Sequence, residues 1–204
     1  MNIKAVVFDY GQVITLPQDP QTIDLLAQRI GVQRSRFEPL LWSLRDEFDR
    51  GTVSAREYYK DILRQLEVNM EESAIDELAA IDFDSWKNLD SGTISLMEDL
   101  KKSGYTLGIL SNMPYEFRKW ALENFNFFTL TDVNLFSCDV KLIKPEAAVY
   151  QKLLEMLKLD GKEVAFFDDK LENIVGAQAL GIEGFVWEGA EIARRTLSDL
   201  GVKL

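Results

Sequence analysis

Four short runs of consecutive apolar residues recur along the chain. Because these runs are continuous rather than alternating, they are typical of parallel strands that are covered on both faces. The runs are Ala5–Phe8, Leu107–Leu110, Val164–Phe167 and Gly184–Trp187. Helical spacing of apolar residues marks the segments beside the later runs, at Tyr115–Phe125, Glu146–Leu157, Glu172–Leu180 and Ala190–Leu200. Strands that alternate with helices predict an α/β fold with a doubly wound parallel sheet.

The segment between the first and second apolar runs breaks this alternation, since it holds helical patterns in succession and no convincing strand. Ser54 and Glu57 have the spacing of a capping box, which predicts a helix that continues through Leu66. A second helical stripe consists of Phe37, Leu40, Leu41, Leu44 and Phe48. We therefore expect an all-helical cap, residues 17–88, inserted into an α/β core formed by residues 1–16 and 89–204.

Polar side chains that suit a functional site lie near the ends of the predicted strands. They are Asp9 after the first run, Ser111–Asn112 after the second, Asp168–Asp169 after the third, and Lys144 just before a helix. Open α/β sheets bind ligands at the carboxyl ends of their strands. A carboxylate beside a buried strand needs a partner, and a metal ion is a natural one. Each pattern alone also fits a helix cap or a surface charge, but their order along the chain favours one site.

The composition narrows the possible chemistry. The 204 residues include no histidine, which excludes Ser-His-Asp and Cys-His catalysis and histidine-ligated zinc. Cys138 is the single cysteine, so an internal disulfide is impossible. The net charge of −11 argues against a nucleic-acid or anionic-membrane partner. With no span-length apolar stretch and no signal-peptide pattern at the start, we expect a cytoplasmic protein.

Two motifs resemble those of the haloacid dehalogenase-like superfamily of phosphohydrolases. They are the Phe-Asp-x-Gly start at residues 8–11 and the Phe-Phe-Asp-Asp-x-x-x-Asn-Ile-x-Gly-Ala stretch at residues 166–177. The resemblance covers residues 4–16 and about 105–187, and it implies a Rossmann-like core with a helical C1 cap. Within the superfamily, the motifs are most similar to those of small sugar-phosphate phosphatases of the glucose-1-phosphatase type.

The resemblance also implies a role for each candidate residue. Asp9 would be the nucleophile and form an aspartyl-phosphate, and Lys144 would neutralise charge on Asp9 and the phosphoryl group. Ser111 and Asn112 would donate hydrogen bonds to phosphoryl oxygens. A Mg²⁺ ion would be held by Asp9, the Gly11 carbonyl and Asp169, with Asp168 as a further ligand or acting through water. The partner would be a small phosphorylated metabolite, with a sugar phosphate as the first candidate.

Gly11 is the main departure from the superfamily pattern. Most phosphatases of this superfamily carry a second aspartate there, which protonates the leaving oxygen and later activates water. Three outcomes remain open: water or substrate supplies the proton, Asp168 or a cap residue substitutes, or the enzyme is slow. An anomeric phosphate has a better leaving group than an ordinary alcohol phosphate, so we expect it to need the acid less. As a residue, Gly11 also suits a sharp turn after the strand.

Two other functions compete with a Mg²⁺-dependent phosphatase. The first is a metal-free 2-haloacid dehalogenase, which would gain nothing from the paired acids Asp168–Asp169. The second is a non-catalytic module that binds a phosphorylated ligand, and Gly11 is the feature that favours it. For Trp86 and Arg45 in the helical segment, packing or solvation is the simpler interpretation, and for Asn173 a structural or water-mediated role.

Overall fold

The computed structural model describes residues 2–204, which form a parallel sheet of five strands with helices on both faces. The strand order is β3-β2-β1-β4-β5. The strands are β1 (Ala5–Phe8), β2 (Thr106–Ser111), β3 (Val133–Phe136), β4 (Val164–Asp168) and β5 (Glu183–Val186). The predicted α/β fold with a doubly wound parallel sheet is confirmed, and the four predicted strands are β1, β2, β4 and β5.

Strand β3 was not predicted because its apolar signal in the sequence is short. Val133 and Asn134 are only half buried, and the two fully buried residues, Leu135 and Phe136, do not make a recognisable run. The strand lies at the sheet edge, where it pairs with β2 alone. Short strands with polar residues are common at sheet edges, where they limit pairing with other chains.

The central strand β1 brings the candidate residues to one edge of the sheet. Phe8 is in register with Ile109 of β2 and with Phe167 of β4. Asp9 follows directly, and its backbone N–H donates to the Phe167 carbonyl oxygen over 2.9 Å. Parallel register therefore places the residues that follow all three strands side by side.

Alternate residues of the strands pack on opposite faces of the sheet. On one face, Val6 and Phe8 join a core with helices α6 (Ser91–Lys102), α7 (Tyr115–Asn124) and α11 (Ala190–Asp199). On the other, Ala5 and Val7 pack with α9 (Ala147–Leu157) and α10 (Leu171–Gln178). A one-turn helix α8 (Ser137–Val140) follows β3, and 3₁₀ turns occupy Asn126–Leu130 and Gly161–Glu163. Both faces are covered, which explains the continuous apolar runs.

Five helices lie between β1 and α6, and they form what we call the helical insertion. They are α1 (Pro20–Ile30), α2 (Arg34–Ser43), α3 (Arg45–Asp49), α4 (Ala55–Leu66) and α5 (Glu72–Ser85). These helices bury an apolar cluster of their own. The stripe from Phe37 to Phe48 spans two helices instead of one, because the helix is interrupted at Leu44 between α2 and α3. The capping box at Ser54 is present as expected.

The two connections between insertion and sheet run beside each other. Thr15 and Leu89 form an antiparallel bridge, and the Leu16 backbone N–H donates to the Asn88 carbonyl oxygen over 2.8 Å. This pairing supports a division close to residues 16 and 88, and we retain residues 17–88 as the proposed cap. Within residues 2–204, none of the helices is both long and apolar enough to cross a membrane.

The capping box of α4 gives a direct test of the insertion's local stability. The Ser54 hydroxyl accepts from the Glu57 backbone N–H, and the Glu57 carboxylate accepts from the Ser54 N–H over 2.8 Å. We expect Ser54→Ala to lower the free energy of unfolding by about 1 kcal/mol in urea denaturation. Ser73→Ala, at an exposed position in the first turn of α5, should change it by less than about 0.5 kcal/mol. Equal effects of the two substitutions would contradict the assignment.

Candidate active site

Asp9 lies at the floor of a cavity at the carboxyl edge of the sheet. Only 8% of the residue is exposed. Its Oδ1 atom accepts from the Tyr10 backbone N–H over 2.7 Å and lies 2.8 Å from Lys144 Nζ. Within residues 2–204, no hydrogen bond reaches its other oxygen, Oδ2, which leaves that atom available to a ligand.

Lys144 is buried between two carboxylates. Its Nζ lies 2.8 Å from Asp9 Oδ1 and 2.6 Å from Asp168 Oδ2, and 1% of its side chain is exposed. The Asn112 side chain holds the backbone at this position: its Oδ1 accepts from the Lys144 N–H over 2.8 Å, and its Nδ2 donates to the Lys144 carbonyl oxygen over 3.0 Å. This two-point contact fixes the lysine loop against the end of β2.

Asp168 is the second carboxylate that pairs with Lys144, and it has no exposed surface. Its Oδ1 accepts from the Lys170 backbone N–H over 2.9 Å and from Asn173 Nδ2 over 2.8 Å, while its Oδ2 pairs with Lys144. Both oxygens are therefore engaged within the protein. The hydrogen bond from Asn173 to Asp168 is the structural contact expected for Asn173. Asp168 remains a predicted metal ligand, but it could bind a metal only if one of these hydrogen bonds broke.

Asp169 differs from its neighbour because it faces the cavity. Its Oδ2 accepts from Gln12 Nε2 over 2.8 Å. Gln12 has a φ of 59°, in the left-handed backbone region that residues other than glycine adopt infrequently. Gln12 was not predicted as a site residue, and no sequence signal indicates it, because its position depends on this unusual turn.

The three aspartates form a set of oxygens suited to a hard divalent cation. One carboxylate oxygen from each of Asp9, Asp168 and Asp169 lies within 4.8 Å of the others. The ammonium groups of Lys144 and Lys170 offset only part of the charge of these three carboxylates, so a divalent cation would offset the remaining negative charge. Oxygen donors are also the ligands that Mg²⁺ prefers. The residues present therefore fit the metal, and the Gly11 carbonyl remains a predicted fourth donor.

The pKa shifts of the site residues reflect the same excess of negative charge. Burial raises the pKa of Asp9 to about 7; Lys144 opposes this shift, while Asp168 and Asp169 add to it. Burial and Asp168 likewise raise the pKa of Asp169. Burial alone would lower the pKa of Lys144, but the neighbouring Asp168 and Asp9 raise it above its ordinary value. The lysine is therefore held as a cation at the position where an anionic substrate group would bind.

Gly11 was expected to supply the conformational freedom for a sharp turn after β1, and the structure shows that this expectation is wrong. The residue with positive φ is Gln12, and Gly11 does not adopt a conformation that only glycine tolerates. A Cβ at Gly11 would lie 3.4 Å from Cζ3 of Trp86, an ordinary van der Waals contact. The Trp86 ring therefore lies beside the place where a longer side chain at position 11 would extend.

The cavity has a volume of about 340 Å³ and is lined by both the sheet edge and the helical insertion. The predicted residues Asp9, Gly11, Ser111, Asn112, Lys144 and Asp169 all line it, whereas Asp168 lies beneath. Residues 17–88 contribute Trp42, Arg45, Asp46, Asp49, Phe83 and Trp86. Arg45 and Trp86 do pack as expected, yet they also face the cavity. Nothing in the sequence showed that these two residues would face the same cavity as the strand-end residues.

The sequence matches the pattern of the haloacid dehalogenase-like hydrolases over residues 3–181. The chain belongs to this family. It is 27% identical over 187 residues to the sesquiterpene phosphatase astK of Aspergillus oryzae, covering 89% of this chain and 88% of the relative. It is 26% identical to the phosphatase MT3486 of Mycobacterium tuberculosis over 100% and 98% of the two chains. A shorter match, 32% over 85 residues, is with the (S)-2-haloacid dehalogenase 4A of Burkholderia cepacia, covering 42% of this chain and 37% of that one.

A solved structure shares the whole fold of this haloacid dehalogenase-like hydrolase. The family enzyme bt-2542 of Bacteroides thetaiotaomicron superposes with a TM-score of 0.79 at 21% identity, covering 97% of this chain and 99% of that one. The same enzyme in complex with magnesium and inorganic phosphate superposes with a TM-score of 0.75 at 22% identity, over 91% and 94% of the chains. At this identity the likeness establishes the fold alone.

Metal binding at the three aspartates is testable without an activity assay. We expect Mg²⁺ to raise the melting temperature of the metal-free protein, since binding at a hundredfold excess over Kd stabilises a fold by about 2.7 kcal/mol. Asp169→Asn removes a charged donor that faces the cavity and should reduce the shift. Asp199→Asn, at the exposed end of α11, should retain it. Differential scanning fluorimetry measures all three, and an unchanged shift in Asp169→Asn would contradict the assignment.

Proposed function

We propose that this hydrolase is a Mg²⁺-dependent phosphatase that cleaves small phosphate monoesters through an aspartyl-phosphate on Asp9. The observation that carries the proposal is the pairing of Asp9 with the buried ammonium of Lys144 on the cavity floor, 2.8 Å away. Asp9 Oδ2 is left free to attack phosphorus, and the lysine lies where it can neutralise charge as the new bond forms.

The surrounding residues complete a phosphoryl-binding site. Ser111 ends β2, lines the cavity and is nearly buried, so its hydroxyl can donate to a phosphoryl oxygen. Asn112 has one side-chain N–H left after its two contacts with Lys144. A Mg²⁺ ion held by Asp9, Asp169 and the Gly11 carbonyl would neutralise phosphoryl charge. Asp168 keeps the lysine in position beneath it.

The paired acids favour phosphatase chemistry over dehalogenation. Asp168 and Asp169 add negative charge beside a carboxylate nucleophile, and a site that works without metal gains nothing from that repulsion. The names of the full-length relatives, a sesquiterpene phosphatase and a phosphatase, point the same way. The partial match to a haloacid dehalogenase keeps the second chemistry as an outcome of the test below.

The cavity indicates the size and character of the alcohol that would leave. A volume of about 340 Å³ is near the lower end for small-molecule sites. Its upper wall includes the aromatic rings of Phe83, Trp86 and Phe117. Aromatic rings accept both the apolar face of a sugar and a hydrocarbon chain. We therefore propose a small phosphomonoester with an apolar face, and retain a sugar phosphate as the first candidate.

Turnover of an aryl phosphate tests the proposed function. With Mg²⁺ present, we expect the protein to hydrolyse p-nitrophenyl phosphate and to lose this activity on chelation by EDTA. Asp9→Asn should lower kcat/KM by roughly 10⁴-fold or more, because it removes the attacking group. Asp199→Asn is the control and should match the wild type. Release of chloride from 2-chloropropionate that is insensitive to EDTA would indicate the dehalogenase, and no turnover of either compound would indicate a binding module.

A further inference from the structure

The proposed function does not identify the group that gives a proton to the leaving oxygen, and the inference below rests on that function. When the bond from phosphorus to the leaving oxygen breaks, an alkoxide forms unless a nearby acid protonates it. Gly11 has no side chain, and the Trp86 ring lies next to it. An acid that assists this step must therefore come from elsewhere in the cavity wall.

Three carboxylates line the cavity besides the candidate metal ligands, namely Asp46, Asp49 and Glu172. Asp46 and Glu172 are exposed to solvent. Asp49 is different, since only 13% of its side chain is exposed. A carboxylate withdrawn from water in this way favours its neutral, proton-bearing form.

The hydrogen bonds around Arg45 identify the atom of Asp49 that would carry the proton. Arg45 Nε lies 2.9 Å from Asp49 Oδ1, and its Nη1 lies 2.9 Å from Asp82 Oδ2. Asp82 is buried, and its second oxygen accepts from Trp86 Nε1 over 3.1 Å. Within residues 2–204, Asp49 Oδ2 receives no hydrogen bond. One guanidinium thus serves two carboxylates, and a proton on Asp49 Oδ2 neutralises the cluster.

The backbone of Asp49 is fixed to the sheet edge that carries the site. Ser137 Oγ donates to the Asp49 carbonyl oxygen and accepts from the Met113 backbone N–H, the latter over 2.8 Å. The next residue, Arg50, pairs with Glu146 across 2.8 Å, two residues after Lys144. The insertion is therefore tied to the core at Asp49 itself.

The charges that face Asp49 set a suitable proton affinity. They are Arg45, Asp82 and Lys170. Burial raises the pKa of Asp49 to about 6, against the opposing effect of Arg45. A general acid works best when its pKa lies near the working pH, so this value suits proton transfer near neutrality.

We propose that Asp49 is the catalytic proton donor of this enzyme, supplied by the helical insertion in place of a side chain at position 11. In the first step, the Asp9 carboxylate bonds to phosphorus, the bond from phosphorus to the leaving oxygen breaks, and that oxygen takes the proton from Asp49 Oδ2. The alcohol leaves and Asp49 is a carboxylate. In the second step, water bonds to phosphorus and gives a proton to Asp49. The bond from Asp9 to phosphorus breaks, phosphate forms, and both residues are restored.

A series of leaving groups tests this role. A p-nitrophenolate ion leaves without a proton, whereas benzyl alcohol needs one. We expect Asp49→Asn to lower kcat/KM for benzyl phosphate by about 10²–10⁴-fold, the usual contribution of a general acid. For p-nitrophenyl phosphate the loss should be only a few-fold. Asp49→Glu should restore part of the benzyl phosphate activity. Glu47→Gln, which changes an exposed carboxylate of the same helix that does not line the cavity, should not alter the ratio of the two rates.

Two results would overturn the proposal. An equal loss on both substrates in Asp49→Asn would mean that the residue only holds Arg45 in place. If that variant does not fold, the wild type decides: a steep fall of kcat/KM with increasing leaving-group pKa across phenyl, p-nitrophenyl and benzyl phosphates would show that no acid assists. Failure of the proposed function is distinct, since Asp9→Asn would then leave p-nitrophenyl phosphate turnover unchanged.

Discussion

The ammonium of Lys144, buried between Asp9 and Asp168, is the interaction on which the rest of the site depends. A buried ion pair is costly to form, and removing one partner leaves an uncompensated charge in the interior. Hydrogen bonds hold the groups of this ion pair in place. Asn112 binds the backbone of Lys144, and Asn173 Nδ2 and the Lys170 N–H donate to Oδ1 of Asp168. Asp9 is thus oriented with one oxygen engaged and one oxygen free. This arrangement is what converts a strand-end carboxylate into a candidate nucleophile.

Much of this site could be predicted because it follows from strand ends. In a parallel sheet, residues after neighbouring strands meet at one edge, so Asp9 and Asp168–Asp169 could be brought together from their order in the chain alone. The edge strand Val133–Phe136 was missed because two of its four residues are only half buried, which leaves a short apolar signal. Gln12 and Trp86 were not assigned to the cavity because their positions depend on a left-handed turn and on how the insertion sits over the sheet. No periodicity in the sequence records either feature.

The helical insertion has a larger role in this account than a covering layer. Through Arg45, it links Asp49 and Asp82, and Asp82 in turn holds the indole N–H of Trp86. The same network therefore positions an aromatic ring beside Gly11 and a buried carboxyl group in the cavity wall. If Asp49 supplies the proton, the chain has less need of an activated leaving group than Gly11 alone would imply. Selection among phosphate esters would then depend on the aromatic wall.

The measurement that tests the central claim most directly is the location of the phosphoryl group during turnover. The protein is mixed with substrate and Mg²⁺, quenched in acid after one turnover, and its peptides are analysed by mass spectrometry. We expect one added phosphoryl group on the peptide that contains Asp9, since that carboxylate forms the covalent intermediate. A phosphoryl group on any other residue, or phosphate release from a mixture in which Asp9 is never modified at any quench time, would contradict it.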